Sequence, residues 1–282
     1  MFTSFFDFYS YKNYGFVFSA CLTIITIVGY LSCGMNLGID FKGGVIIELN
    51  SKYCNEITNV LNLKCENIII QELDKNLVIT LQTKDCSALK TIDIIKHTIL
   101  QIDSEVIFLK SDFVGPKISI DSVNKSILAF CYSLLTVIIY IIIRFDWRFG
   151  IGALLSLLHD IVASIGFFVL TRYEFNLTSV AAILTIIGYS INDSIVIYDR
   201  IRENIFISHK QFFMSVIINK SINETLSRTV MTFFTTFVTC VVLFIFGGDN
   251  LKSFGAIMAF GIAFGTYSSI FISANILPSL PK

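Results

Sequence analysis

The chain has 282 residues, 54% of them hydrophobic and only 15% charged, with a mean hydropathy of +0.74. Soluble domains carry about 25% charge, so the balance excludes an ordinary soluble protein and points to a polytopic membrane protein. Lysine plus arginine equals aspartate plus glutamate, 21 against 21, which leaves no bulk charge for a nucleic-acid partner.

A hydrocarbon core about 30 Å thick needs about 20 apolar residues per helix. Six segments qualify: 15–34, 126–143, 150–171, 177–198, 229–247 and 253–277. The first contains CLTIITIVGYLSCG, which is long and lacks a small-x-small cleavage site, so it is expected to stay as an anchor. Three regions follow: 1–35 with the first span, 36–124 as a soluble domain, and 125–282 with the remaining five spans.

The soluble region opens on GIDFKGG (38–44). Gly43 and Gly44 permit positive φ where the chain enters the first strand, and Asp40 is placed to bond the amides of the turn. This stretch reads as a structural turn at least as well as a substrate contact. GGVIIELN (43–50) predicts a strand and CNEITNVLNL (54–63) a helix with Ile57, Val60 and Leu61 on one face. ENIIIQEL (66–73) and NLVITLQT (76–83) predict strands, with turns at 62–64 and 71–75. SALKTIDIIKHTILQI (87–102) is helical with Asp85 as N-cap, and EVIFLKSD (105–112) is a final strand. The order β-α-β-β-α-β predicts a ferredoxin-like domain. Pro116 in FVGPKI ends the strand character before the second span.

The third span places Gly152, Ser156, His159, Ala163 and Gly166 on one face, with Asp160 beside them near the midpoint. The His159–Asp160 pair reads as a structural lock or as part of a polar pathway, with neither favoured. In the fourth span, GYSINDSIVIYDRIREN (188–204) sets Asn192 and Asp193 in apolar sequence. A carboxylate there costs about 2.5–3.5 kcal/mol on insertion scales, so it should have a partner or a job. Thr178, Ala182, Thr185, Tyr189, Asn192 and Val196 form a stripe with Asp193 at its edge, and the opposite side, Ile183, Ile187, Ile191 and Tyr198, is expected to face lipid. The segment 199–228 mixes basic and apolar residues, including Phe212, Phe213, Val216 and Ile217, and suits an amphipathic helix at the cytoplasmic interface.

On the fifth span Arg228, Thr232, Thr235, Thr236 and Thr239 make one hydroxyl-lined face headed by a guanidinium. Asp193 and Arg228 lie at similar depth on neighbouring helices and can meet, as a static bridge or as a couple that loads and releases a proton, with Asn192 on the same expected proton pathway. The sixth span carries Gly261 and Gly265 in GIAFG, a small-xxx-small surface for helix packing.

Lys12, Arg144, Arg148, Arg200, Arg202, Lys210, Lys220, Arg228 and Lys282 fall on one side, against Arg172 and Lys252 in the short loops opposite, so both termini are expected in the cytoplasm. The seven cysteines show neither a disulfide framework nor metal spacing. No GxxxxGK[ST] cradle occurs, which excludes a P-loop motor. No catalytic residue, cofactor or metal site is expected.

GIDFKGG, VGPKI (114–118), LLHD (157–160), GYSINDSIVIYDRIREN, ETLSRTVMTFFTT (224–236) and FGTYSSIFIS (264–273) together resemble the SecF family, within the RND superfamily. The resemblance covers nearly the whole chain. It implies a multi-pass protein of the bacterial inner membrane, with the soluble domain in the periplasm. It also implies a non-enzymatic subunit of protein export that uses the proton motive force with SecD to promote late steps of preprotein translocation. The relay acid and arginine would be Asp193 and Arg228, with a further acid in SecD. The SecYEG channel, YajC and the translocating preprotein are the other implied partners. Half of a proton-driven small-molecule exporter is the competing reading, disfavoured by six spans and one loop of fewer than 90 residues.

Overall fold

The computed structural model describes residues 6–51, 53–64, 68–73, 76–81, 88–104, 106–207 and 213–279. In chain order the elements are α1 (Lys12–Cys33), α2 (Ile39–Lys42), β1 (Gly44–Asn50), α3 (Cys54–Lys64), β2 (Ile68–Leu73), β3 (Asn76–Leu81), α4 (Ala88–Ile102) and β4 (Ile107–Val114). They continue with α5 (Pro116–Arg144), α6 (Trp147–Thr171), α7 (Leu177–Ile207), α8 (Met214–Phe246) and α9 (Gly248–Ser268). A π-helical turn (Ser269–Ser273) and a 3-10 turn (Leu277–Ser279) follow. Two compact units emerge, residues 37–127 and residues 1–36 with 128–282.

In the smaller unit the sheet order is β2-β3-β1-β4 and every neighbouring pair is antiparallel. With the connection β-α-β-β-α-β, this is the split arrangement expected from the strand and helix periods. Alternation puts Val45, Ile47 and Leu49 of β1 beside Leu77, Ile79 and Leu81 of β3 on one face, where Ile57 and Leu61 of α3 and Ile95 and Ile99 of α4 cover them. Details differ from the sequence reading. Residues 62–64 continue α3 instead of turning, and 39–42 form a single helical turn before the strand. Asp40 sits in that turn, and Gly43 (φ +74°) and Gly44 (φ +143°) supply the positive φ that ends it. Pro116 is the first residue of α5, where its missing N–H costs nothing. Asp85 lies outside the described residues.

Among the described residues six helices are long and apolar enough to cross a membrane. Those of α6, α7 and α9 are half buried, 50–56%, whereas those of α1, α5 and α8 are only 11% buried. Hence α6, α7 and α9 form the packed centre. Ile183, Ile187, Ile191 and Tyr198 belong to that centre, so the expected lipid face of α7 is in fact its protein face. The reason is that lipid tails are as apolar as isoleucine, and an apolar stripe alone does not distinguish the two. Close approach comes from small residues: a Cβ on Gly261 would stand 2.1 Å from Ile186 Cδ1, and one on Gly265 would stand 3.1 Å from Ser190 Cβ.

The segment 199–228 does not form a separate interfacial helix. Its described parts extend α7 to Ile207 and begin α8 at Met214, and Ile201, Ile217, Ile218 and Ile222 are buried in the core. Its charges bind the helix ends together. Arg200 donates to Glu224 (2.7 Å) and Glu203 (2.5 Å), Asn204 donates to Glu224 (2.8 Å), and Arg144 of α5 pairs with Asp199 (3.1 Å). The amides of Phe6 and Phe8 donate to Asn223 and Asn219 of α8, tying the N-terminal strap to the same helix. Within that strap the Ser10 hydroxyl and amide hold the exposed Asp7 carboxyl below its usual pKa.

Glycine positions give a direct stability test. A Cβ at Gly152 would meet the Ser273 carbonyl at 2.7 Å and the Tyr198 hydroxyl at 2.9 Å, whereas one at Gly188 meets nothing within 4 Å. Gly152→Ala is therefore expected to cost about 1–3 kcal/mol and to lower the melting temperature of the purified protein. Gly188→Ala, on an exposed helical position, should leave it unchanged or slightly raised. Equal melting temperatures for the two variants would contradict this packing.

Candidate functional site

Helix α7 turns two polar faces inward. Toward α6 and the end of α9 it presents Ser190 and Ser194, one turn apart. Ser190 Oγ donates to Asp160 Oδ2 at 2.6 Å and Ser268 Oγ donates to the same oxygen at 2.9 Å. His159 Nδ1 lies 3.2 Å from Asp160 Oδ1 and donates to it in the Nδ1-protonated tautomer. Ser156 Oγ donates to Ser268 Oγ at 3.0 Å. Asp160 is thus a buried acceptor, 1% exposed, for donors from three helices. The seam continues through Ser269, which donates to the Ser190 carbonyl (3.0 Å) and accepts from Ser194 (3.0 Å), and ends where the Tyr198 and Ser273 hydroxyls share a hydrogen bond. These serines sit on the π-helical turn, whose widened register brings Ser269 and Ser273 against α7.

The second face carries Asp193, 2% exposed. Its hydrogen bond is a long one, from Thr266 Oγ1 of α9 to Oδ2 at 3.2 Å. Arg228, at the surface of α8, acts on Asp193 through its charge. Among the described residues no ion pair joins the two. Tyr189, one turn before Asp193, points its hydroxyl among those of Thr232 and Thr236 of α8 and Thr266. That hydroxyl is buried, and no described group meets it at hydrogen-bond geometry.

The hydroxyl face expected on α8 therefore divides. Thr232 and Thr236 turn toward Tyr189, while Thr235 and Thr239 are exposed. All four donate their protons to carbonyls of their own helix: Thr232 to Thr229 (3.0 Å), Thr236 to Thr232 (2.9 Å), Thr235 to Met231 (3.0 Å) and Thr239 to Thr235 (3.0 Å). Asn192 is exposed and stands apart from its neighbour Asp193. Asp40, Gly43 and Gly44 belong to the smaller unit and take no part in this constellation. Among the described residues no group of three His, Cys, Asp or Glu side chains is placed to hold a metal ion.

The serine seam escaped sequence reading because serine is common and its hydroxyl vanishes in a hydrophobicity count. A usable signal existed. Ser190 and Ser194 are four apart, and Ser269 and Ser273 are four apart on the last span, which puts each pair on one helical face.

Comparison with known proteins adds the following. Residues 94–282 match the family model "Protein export membrane protein SecD/SecF, C-terminal", and residues 34–52 match "SecD/SecF GG Motif". Protein translocase subunit SecF of Rickettsia bellii is 39% identical over 280 residues, 96% of this chain and 92% of that one. The same subunit of Rickettsia prowazekii is 40% identical, covering 96% and 90%. The crystal structure of SecDF from Thermus thermophilus, described as a translocon-associated membrane protein, superposes with a TM-score of 0.88 at 30% identity. That match takes in 99% of this chain and 39% of the SecDF chain. SecDF in a super-membrane-facing form gives a TM-score of 0.71 at 29% identity.

Proposed function

Because this chain belongs to the SecF family of protein translocase subunits, we propose that it works with SecD to draw on the proton motive force in late steps of preprotein translocation across the inner membrane. The carrying observation is the state of Asp193. It is buried, held by one long hydrogen bond, and within the field of Arg228 without being locked to it. A bridge that merely held helices together would pair directly. A carboxylate left this way is suited to take up and release a proton, and one charge crossing 100 mV is worth about 2.3 kcal/mol.

Polar groups on the outer faces support a membrane-embedded protein partner. Thr178, Thr185 and Asn192 of α7 and Thr235 and Thr239 of α8 are exposed in this chain alone. Asn192 and Arg228 would face acyl chains at high cost unless another protein covers them. SecD is the partner that fits, since the chain is similar to 39% of the SecDF chain. In this reading both termini are cytoplasmic, region 36–124 is periplasmic and acts on the emerging preprotein, and SecYEG and YajC complete the assembly.

The test is reconstitution of the chain with SecD and the channel in membrane vesicles. Completion of translocation is expected to speed up when a proton gradient is imposed and to return to the basal rate with a protonophore. An unchanged rate would reject the proposal.

A further inference from the structure

Beside Asp193 stands a buried hydroxyl with no role so far, that of Tyr189. Tyr189 lies at i−4 from Asp193 on the same helix, so both side chains project from one face. Its buried hydroxyl lies near the hydroxyls of Thr232 and Thr236 of α8 and Thr266 of α9 and within the field of Asp193. Arg228 of α8, one turn before Thr232, acts on Asp193 through its charge. Burying a hydroxyl without a partner is unfavourable, and a tyrosine O–H enclosed by protein usually has one. Here it has none.

The surrounding threonines explain what that hydroxyl can do. Thr232 and Thr236 give their protons to helix carbonyls and Thr266 gives its proton to Asp193, so each keeps oxygen lone pairs free. Small side-chain rotations let Tyr189 donate to any of the three. One choice, donation to Thr266, completes a chain Tyr189–Thr266–Asp193. The other, donation to Thr232 or Thr236, breaks that chain and joins Tyr189 to the helix that carries Arg228. We infer that Tyr189 is a positioning residue for the Asp193 proton, its hydroxyl alternating between Thr266 and the α8 threonines to close and open a hydrogen-bonded chain to the carboxylate. In each exchange a hydrogen bond to one threonine oxygen breaks as a hydrogen bond to another forms. The tyrosine keeps its own proton throughout, so charge balances.

This inference rests on the proton-coupling reading of Asp193, and the experiment separates the two. Tyr189→Phe, Tyr189→Trp and Asp193→Asn would each be reconstituted with SecD and the channel, and translocation measured with and without an imposed proton gradient. Phenylalanine keeps the ring and removes only the hydroxyl. The gradient-dependent part of the rate is expected to fall about tenfold in Tyr189→Phe, less than the hundredfold or more that loss of a primary acid or base can cost. The gradient-independent part, the melting temperature and co-purification with SecD should hold at the wild-type level. The solvent deuterium isotope effect on the gradient-dependent part should rise, which a purely structural role would not produce. Tyr189→Trp, which refills the space without the hydroxyl in place, should not rescue. If Asp193→Asn loses gradient dependence while Tyr189→Phe keeps it, the inference falls and the coupling reading stands. A uniform loss in both parts of the rate, with lowered stability, would make Tyr189 a packing residue and also overturn it. If Asp193→Asn responds normally to the gradient, the coupling reading fails and the inference with it.

Discussion

Asp193→Asn should abolish the response of translocation to a proton gradient while leaving assembly intact. The substitution is close to isosteric, and an asparagine carbonyl still accepts the proton of Thr266, now 3.2 Å from Oδ2. Packing around the site stays as it is, because the neighbours Ser190, Ser194 and Ile197 make their contacts without this carboxylate. What disappears is the ability to exist in two charge states. The lost free energy per turnover is that of the proton that no longer moves, about 2.3 kcal/mol for each unit charge per 100 mV. Melting temperature and co-purification with SecD should match the wild type. The rate of completed translocation in energised vesicles should equal that in de-energised ones. Asn192 carries no titratable group and offers no substitute acid. Arg228→Ala is expected to act in the same direction, because it removes the charge that biases the carboxylate. Full gradient response in Asp193→Asn would remove the mechanism.

The second large effect is expected at Asp160, and it is one of stability. Asp160→Leu deprives Ser190, Ser268 and His159 of their common acceptor in a site 1% exposed. Interhelical hydrogen bonds of this kind contribute about 1–2 kcal/mol each in model membrane peptides and less in measured proteins. Three donors on three helices bring the total to about 2–4 kcal/mol, a fall in melting temperature of about ten degrees for a domain of this size. Asp160→Asn should be far milder. Its carbonyl keeps both serine hydroxyls satisfied, and its amide can donate to His159 Nδ1 if the ring changes tautomer. Gradient-dependent translocation should survive in Asp160→Asn. Loss of gradient dependence in a well-assembled Asp160→Asn protein would instead make the His159–Asp160 pair part of the proton path.

The contrast between the two acids follows from how each is held. Asp160 accepts converging hydrogen bonds from α6, α7 and α9, those from Ser190 and Ser268 short, and a change of charge there would disturb all three helices. Asp193 has one long bond and neighbours whose hydroxyl protons point elsewhere. Low occupancy of its lone pairs leaves room for a second arrangement, which a switch requires.

Much was legible from residue order alone. Apolar length set the number of spans, because lipid imposes one length on every crossing helix. Alternation in β1 and β3 and the spacing in α3 and α4 determined the small domain, since a sheet with one buried face writes its pattern into the chain. Asp193 and Arg228 stood out because charge in apolar sequence is costly wherever the helix turns. Tertiary structure alone decided which way the helices face. In a bilayer both environments are apolar, so Ile183, Ile187 and Ile191 carried no sign of being inside and the stripe through Thr185 and Asn192 no sign of being outside. It also decided which hydroxyls meet, because serine and threonine can satisfy themselves on their own helix. Only the approach of α9 and its π-helical turn to α6 and α7 brings Ser268, Ser269 and Thr266 to their partners.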